Sequence, residues 1–358
     1  MFSFYKIDLK IILYIYLYII MENSEQLKKK IKVKKTPTFI EVCSGCGGLS
    51  SGFINKNFKP IFLNEINKTF CETLRINHEG VNVINKSMDD IILEPYIGVV
   101  DLLMGGVPCQ SFSQAGKRKG LKDKRGNLIL TFIKMIDILR PKVFLIENVK
   151  GLKTHEKGET LETIINKINE IGNYKTQYKV LNANDYNVPQ KRERLIIVGI
   201  RNDITKEYKY PEPYTYKPIL RDVLEDCPES EGYEYDDKKF KVLDLVPEGG
   251  CWIDLPVKIQ KEYMMKSYDS GGGKRGIAKR LDMNKPSLTL LTTPSQKQTE
   301  RCHPRETRPL QILEYARIQT FPDSYEFKGT LAQKYMQIGN AVPVKLAEAL
   351  ADSIKQVL

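Results

Sequence analysis

A thiol, two carboxylates and two arginines carry the chemistry legible in this chain of 358 residues. Cys109 stands in Gly105-Gly106-Val107-Pro108-Cys109-Gln110, directly after the apolar run Val99 to Met104. A strand that ends in this way presents its next side chain at the carboxyl edge of a parallel sheet, where open α/β folds place their chemistry. The thiolate is the reactive form of cysteine and a strong nucleophile. A lone cysteine is more often a small buried residue, so its neighbours along the chain decide. Glu147 closes a second apolar run that begins at Lys142, and Arg192 and Arg194 lead into a third, Leu195 to Ile200. Near the start, Phe39 to Cys43 runs into the glycine-rich turn Ser44-Gly45-Cys46-Gly47-Gly48. Glycines there let a backbone approach a ligand closely. No Gly-Lys-Ser/Thr follows, so the turn is not a P-loop. Glu65 ends the next strand pattern, placed to accept hydrogen bonds from both ribose hydroxyls. Turn and carboxylate together point to an adenosine-containing cofactor.

The elements that must position these groups follow from periodicity. Short apolar runs alternate with amphipathic stretches from Thr38 onward, which reads as βαβ units. Strands are expected over 39–43, 59–65, 99–104, 142–147 and 194–200. Helices are expected over 48–53, 68–77, 127–139 and 161–171, the third stopping before Pro141. The result is a mostly parallel, helix-covered sheet. Residues 202–300 lose this periodicity and are rich in Tyr, Pro, Gly and charge, as a separate small domain would be. Helical pattern returns at 309–320 and 344–357, and there is no internal repeat.

A net charge of +12 favours an anionic partner such as nucleic acid. Seven cysteines, an odd number with no Cys/His cluster at zinc spacing, argue for reduced thiols inside a cell and against a metal site. The apolar stretch Ile11 to Ile20 is shorter than the ~20 residues of a membrane-spanning helix. Residues 1–37 are therefore expected to be an N-terminal extension outside the fold, with Met21 as an alternative start. No membrane role is expected.

Six motifs in order resemble the DNA cytosine-5 methyltransferases that depend on S-adenosylmethionine, of the bacterial and viral restriction-modification type. They are Glu41 to Gly48; Pro108-Cys109-Gln110; Glu147-Asn148-Val149; Gln190 to Arg194; Arg308 to Asp323; and Gln337 to Pro343. The resemblance covers 38–201 and 301–358. It implies a Rossmann-like α/β methyltransferase sheet with helices on both faces, interrupted at 202–300 by a small irregular α/β or mostly-β target recognition domain. The implied catalytic residues are Cys109, Glu147, Arg192 and Arg194. Cys109 would add to C6 of a flipped-out cytosine, Glu147 would bind N3 with its pKa raised in the complex, and Arg194 would reach O2. Asn148 would fix the nucleophile loop. Ser44, Gly45, Gly47, Gly48, Leu49, Glu65, Ile66, Ser87, Met88, Asn340 and Val342 would hold S-adenosylmethionine and, after transfer, S-adenosylhomocysteine.

The loop after Cys109 is basic and glycine-containing and would close over double-stranded DNA, with Ser111, Gln114, Lys117 and Arg118 touching it. Lys274 and Arg275, with Lys279 and Arg280, would meet phosphates or guanine edges. The resemblance further implies a monomer, partnered in its system by a cognate restriction endonuclease, acting in a bacterial cytoplasm or an infected cell. The pattern departs at Glu41, where Asp is usual, and at Cys43, where Phe is common. An RNA-directed branch of the family carries a Cys-Phe-Thr signature in its insert. Here Cys227 and Cys251 are followed by Pro and Trp. A catalytically dead DNA-binding relative would not need the intact Pro108-Cys109-Gln110, Glu147 and Arg194.

Overall fold

The computed structural model describes residues 36–108, 128–269 and 276–358. Cys109, Ser111, Gln114, Lys117, Arg118, Lys274, Arg275 and nearly all of the N-terminal extension lie outside the described residues.

Seven strands form one sheet in the order β3-β2-β1-β4-β5-β7-β6. They are β1 (Thr38–Val42), β2 (Lys59–Asn64), β3 (Val83–Ile84), β4 (Leu102–Gly105), β5 (Val143–Val149), β6 (Tyr174–Asn182) and β7 (Glu193–Arg201). The first five are parallel to one another. β1 pairs with β2 on one side and β4 on the other, so the crossovers diverge beside it and open a crevice at the carboxyl ends. β7 then runs antiparallel to both β5 and β6. That reversal brings the beginning of β7, Arg194, to the edge where β5 ends, with Arg194 opposite Val149.

Helices cover both faces. α1 (Gly48–Asn55), α2 (Lys68–Asn77), α3 (Leu128–Leu139) and α4 (Glu159–Glu170) fall where the periodicity expects them. Asn67 caps α2, its side-chain oxygen accepting from the N–H groups of Thr69 and Phe70. On one face Phe132, Ile136, Ile164 and Ile168 pack under the sheet. On the other, Leu49 and Phe53 of α1 meet Leu346, Leu350 and Ile354 of the C-terminal helix Val344–Val357. Each fully buried leucine there contributes about 2 kcal/mol. The last helix thus locks the end of the chain onto the helix that follows the glycine-rich turn.

The two-residue β3 and the short helices within 202–300 were not expected from the sequence, and two longer elements were not legible either. β6 is an edge strand whose Lys175, Gln177 and Lys179 leave no apolar run. The helix Leu331–Asn340 opens with a capping box of Thr330 and Gln333 but has a mixed composition. The strand expected over 99–104 begins only at Leu102, because the Asp101 N–H donates to Thr38 Oγ1 and not to a ladder carbonyl.

The described part of 202–300 is irregular. It holds the short helices Arg221–Leu224, Asp237–Leu243 and Val257–Met264, and isolated bridges link Ser287 to Gln190 and Arg280 to Cys302. Leu243, Val246, Leu255, Met264 and Ile277 make a small core of their own with Cys302. Leu220, Leu281, Met283 and Leu290 instead join the core of helices Ile312–Ile318 and Leu331–Asn340. This segment is therefore sewn into the C-terminal part of the fold along one side.

Candidate active site

The carboxyl ends of β1, β4 and β5 surround a cavity of about 400 Å³. The glycine-rich turn contributes Ser44, Gly45, Gly48 and Leu49, and β4 contributes Gly106, Val107 and Pro108 through the loop that follows it. β5 contributes Glu147, Asn148 and Val149, and the C-terminal segment contributes Gln337, Asn340, Ala341 and Val342. A second hollow of about 220 Å³ is lined by Ile66, Ser87, Met88 and Leu128. Cys43, Glu65 and Pro108 line both. The two cavities therefore meet at a carboxylate, with an apolar slot on one side and a polar chamber on the other.

Glu65 is buried, and its carboxylate accepts from Gly45 N and Asn67 N at 2.8 Å each. Burial pushes its pKa up against these N–H groups, which pull it down. Gly48 is required by close approach, since a Cβ there would lie 2.2 Å from the Val342 carbonyl. Glu41 forms part of the floor. Its Oε2 is buried without a hydrogen-bond partner, and burial raises its pKa to about 8.

At the far end of the chamber Arg194 Nε donates to Glu147 Oε1 at 2.8 Å, with each side chain about nine-tenths buried. Asn148 Nδ2 donates to the Val107 carbonyl at 2.8 Å, which pins the root of the loop that leads to Cys109. The cavity thus gathers Ser44, Gly45, Gly48, Leu49, Glu65, Glu147, Asn340 and Val342, and its smaller arm gathers Ile66, Ser87 and Met88. Gly47 supports the turn from behind. Gln337 and Ala341 of the last motif also line the chamber, as does Phe70, which belongs to no motif.

Arg192 goes elsewhere. Only two residues from Arg194, it is fully buried and donates to the carbonyls of Leu290 and Gly339 at 3.1 and 2.8 Å. It ties the 202–300 segment to the helix that carries Asn340 rather than lining the cavity. One other basic residue is corrected by the structure. Arg280 was expected to face DNA, but it is buried, donating to the carbonyls of Leu243, Val246, His303 and Glu306 and to Thr307 Oγ1. Lys279 donates to the Gly249 carbonyl, and burial lowers its pKa. A guanidinium that has spent all five donors inside the fold, as Arg280 has, cannot also hold a phosphate.

Cys43 and Cys46 have C-x-x-C spacing but are free thiols. Burial pushes Cys43 up to about 12, the reverse of what a redox pair needs. Among the described residues no group of His, Cys, Asp and Glu is placed to hold a metal, and no helix is long and apolar enough to cross a membrane.

The sequence profile of the C-5 cytosine-specific DNA methylases matches residues 37–356. The chain is 49% identical to the Type II methyltransferase M.Eco47II of Escherichia coli over 330 residues, 90% of this chain and 79% of that one. It is 48% identical to the Type II methyltransferase M.Sau96I of Staphylococcus aureus, over 92% of this chain and 78% of that one. Among solved structures, DNMT2 of Spodoptera frugiperda, as a triple mutant, superimposes with a TM-score of 0.67 at 18% identity. That match covers 89% of this chain and 99% of the other, and is a likeness of fold.

Proposed function

The chain belongs to the C-5 cytosine-specific DNA methylase family, and from that premise we propose that its cavity holds S-adenosylmethionine beside a cytosine flipped out of duplex DNA. The enzyme is a DNA cytosine-5 methyltransferase of the restriction-modification type. The observation that carries the finer reading is the arrangement of two carboxylates at opposite ends of one chamber, Glu65 at the junction of its arms and the Glu147–Arg194 pair at the far wall.

The residues fit the cofactor. The slot at Ile66, Ser87 and Met88 suits a purine, Glu65 the ribose hydroxyls, and the chamber at Ser44, Gly45, Asn340 and Val342 the amino-acid end. When bound, it supplies a methyl group from a sulfonium and departs as a neutral thioether.

Carbon 5 of cytosine is too poor a nucleophile to accept that methyl unaided. The thiolate of Cys109 would add to C6, forming a C–S bond and moving the electron pair of the C5–C6 double bond onto C5. Glu147 would hydrogen-bond N3 and the exocyclic amine and supply a proton at N3 as negative charge builds in the ring. Arg194 would hold O2 while keeping Glu147 in place. Once C5 is methylated, its proton leaves to a base, the C–S bond breaks as the thiolate returns, and N3 gives its proton back to Glu147. The target must leave the stack for any of this, at a cost of a few kcal/mol. Residues 202–300 would read the site, and the basic loop after Cys109, including Ser111, Gln114, Lys117 and Arg118, would close on the DNA, with Lys274 and Arg275 on the phosphates.

Transfer of tritiated methyl to DNA tests the reading, with bisulfite sequencing to give product and site together. C109A should abolish transfer. An oligonucleotide with 5-fluorocytosine at the target, which has no C5 proton to lose, should trap the wild-type enzyme covalently and leave C109A free. Robust transfer by C109A would sink the covalent route.

A further inference from the structure

The glycine-rich turn is held from outside by a side chain that belongs to no motif. Three residues of the turn have positive φ: Cys43 at 53°, Gly45 at 57° and Gly47 at 89°. Such a backbone persists only where its surroundings hold it. Three of its N–H groups are committed: Ser44 N donates to the Asn64 carbonyl, Gly45 N to Glu65 and Gly47 N to the Ser44 carbonyl. The Cys46 carbonyl accepts from Tyr325 Oη at 2.5 Å, across 279 residues of chain. The Tyr325 ring packs against Phe321 and Phe327. His78, just after α2, places Nε2 3.3 Å from the same hydroxyl. Because the tyrosine's proton goes to Cys46, His78 is the donor of that contact. Burial lowers His78 to about 4, so it serves as a neutral Nε2–H imidazole. A Cβ on Gly47 would come within 2.8 Å of both His78 Nε2 and Tyr325 Oη, so there is no slack between this pair and the turn.

We propose that Tyr325, oriented by His78, is a positioning residue for cofactor binding: it fixes the Cys46 carbonyl and thereby the shape of the turn that lines the chamber at Ser44, Gly45 and Gly48. Neither residue lines the cavity itself. The inference rests on the reading of that cavity as the S-adenosylmethionine site.

Calorimetric titration with S-adenosylhomocysteine tests it. Y325F should raise Kd roughly three- to tenfold, the size of one net hydrogen bond. KM for S-adenosylmethionine should rise in parallel, while kcat at saturating cofactor and KM for DNA stay within about twofold. H78Q keeps an N–H in reach of Tyr325 and should bind like wild type, whereas H78L should resemble Y325F. Unchanged Kd in Y325F overturns the proposal, as does a lowered Tm and kcat with unchanged KM, the signature of a purely structural role. Failure of the wild-type enzyme to bind S-adenosylhomocysteine would overturn the reading of the cavity instead.

Discussion

Two carboxylate–cation pairs of equal length sit at opposite ends of β5, one shared with β4 and the other with β7. At the amino edge Asp101, just before β4, meets Lys142, just before β5, at 2.8 Å. At the carboxyl edge Glu147 meets Arg194, also at 2.8 Å. Distance does not separate them; the remaining bonds do. Asp101 Oδ2 also accepts from Thr38 N and Thr38 Oγ1, so that carboxylate ties the start of β1 to the start of β4. Glu147 gives Oε1 to Arg194 and lines the chamber, with Oε2 beside Gly106, where a Cβ would lie 3.1 Å away. A carboxylate that braces three strands is a strut. One that opens on a cavity beside a fixed cation is equipped to meet a substrate.

The largest effect that could break this contrast belongs to Glu147. E147Q keeps the shape and an acceptor for Arg194 but cannot supply a proton at N3. We expect kcat for DNA methylation to fall by about 100-fold or more, with Tm nearly unchanged. Single-turnover methyl transfer, paired with calorimetry to confirm the fold, measures both. A variant retaining half of wild-type activity would reduce Glu147 to another strut.

The carboxyl edge was legible because its chemistry sits at the ends of apolar runs, and glycine or Asn-Val marks where each run stops. Glu147, Glu65 and the Ser44–Gly48 turn could all be placed in this way. Arg194 was legible only by motif. Periodicity does not give strand direction, and had β7 run parallel to β5, Arg194 would lie about 20 Å away at the amino edge. Arg192 and Arg280 were illegible for a different reason. A sequence gives charge but not burial, and both guanidiniums are spent on main-chain carbonyls within the fold. Polar alternation in β6 and mixed composition in the helix Leu331–Asn340 hid two elements whose stability comes from tertiary packing.

Arg280 sharpens the contrast from the side of the recognition segment. R280M removes five hydrogen bonds and leaves the Val246 and His303 carbonyls without a donor, at a cost of about 3–5 kcal/mol. Tm should drop by roughly 10 °C. At a temperature where the variant is folded, the salt dependence of DNA binding should keep its wild-type slope, because no phosphate contact is lost. A shallower slope would restore Arg280 to the DNA surface.

Glu41 gives a pH-dependent effect of intermediate size. The folded chain keeps its proton until about pH 8, whereas the unfolded carboxyl releases it near 4.5. Between those values the folded state binds more protons, so this group's contribution to stability falls as pH rises. E41Q cannot titrate. Relative to wild type it should gain stability between pH 5 and pH 8, by about 2–4 kcal/mol at the upper end. Thermal melts of the cofactor-free proteins across that range read the difference, and parallel curves would show that Glu41 ionises freely in the fold.

The smallest effect belongs to the strut. Lys142 is 44% exposed, so water screens part of its attraction to Asp101. The ion pair and the hydrogen bonds from Thr38 together hold Asp101 below the usual carboxylate range. A depressed pKa in the folded state contributes stability above the unfolded value, lost as pH falls through the folded one. D101N should therefore destabilise by about 1 kcal/mol at pH 7, and the gap should close as the pH is lowered below about 4. Methyl transfer at saturating substrates should be unchanged, since the amino edge faces away from the chamber. Urea melts at neutral and acid pH, set beside the kinetics of E147Q, put the two pairs in one experiment. If D101N also slowed catalysis, the two edges would be mechanically coupled through β4 and β5, and the division between strut and site would fall.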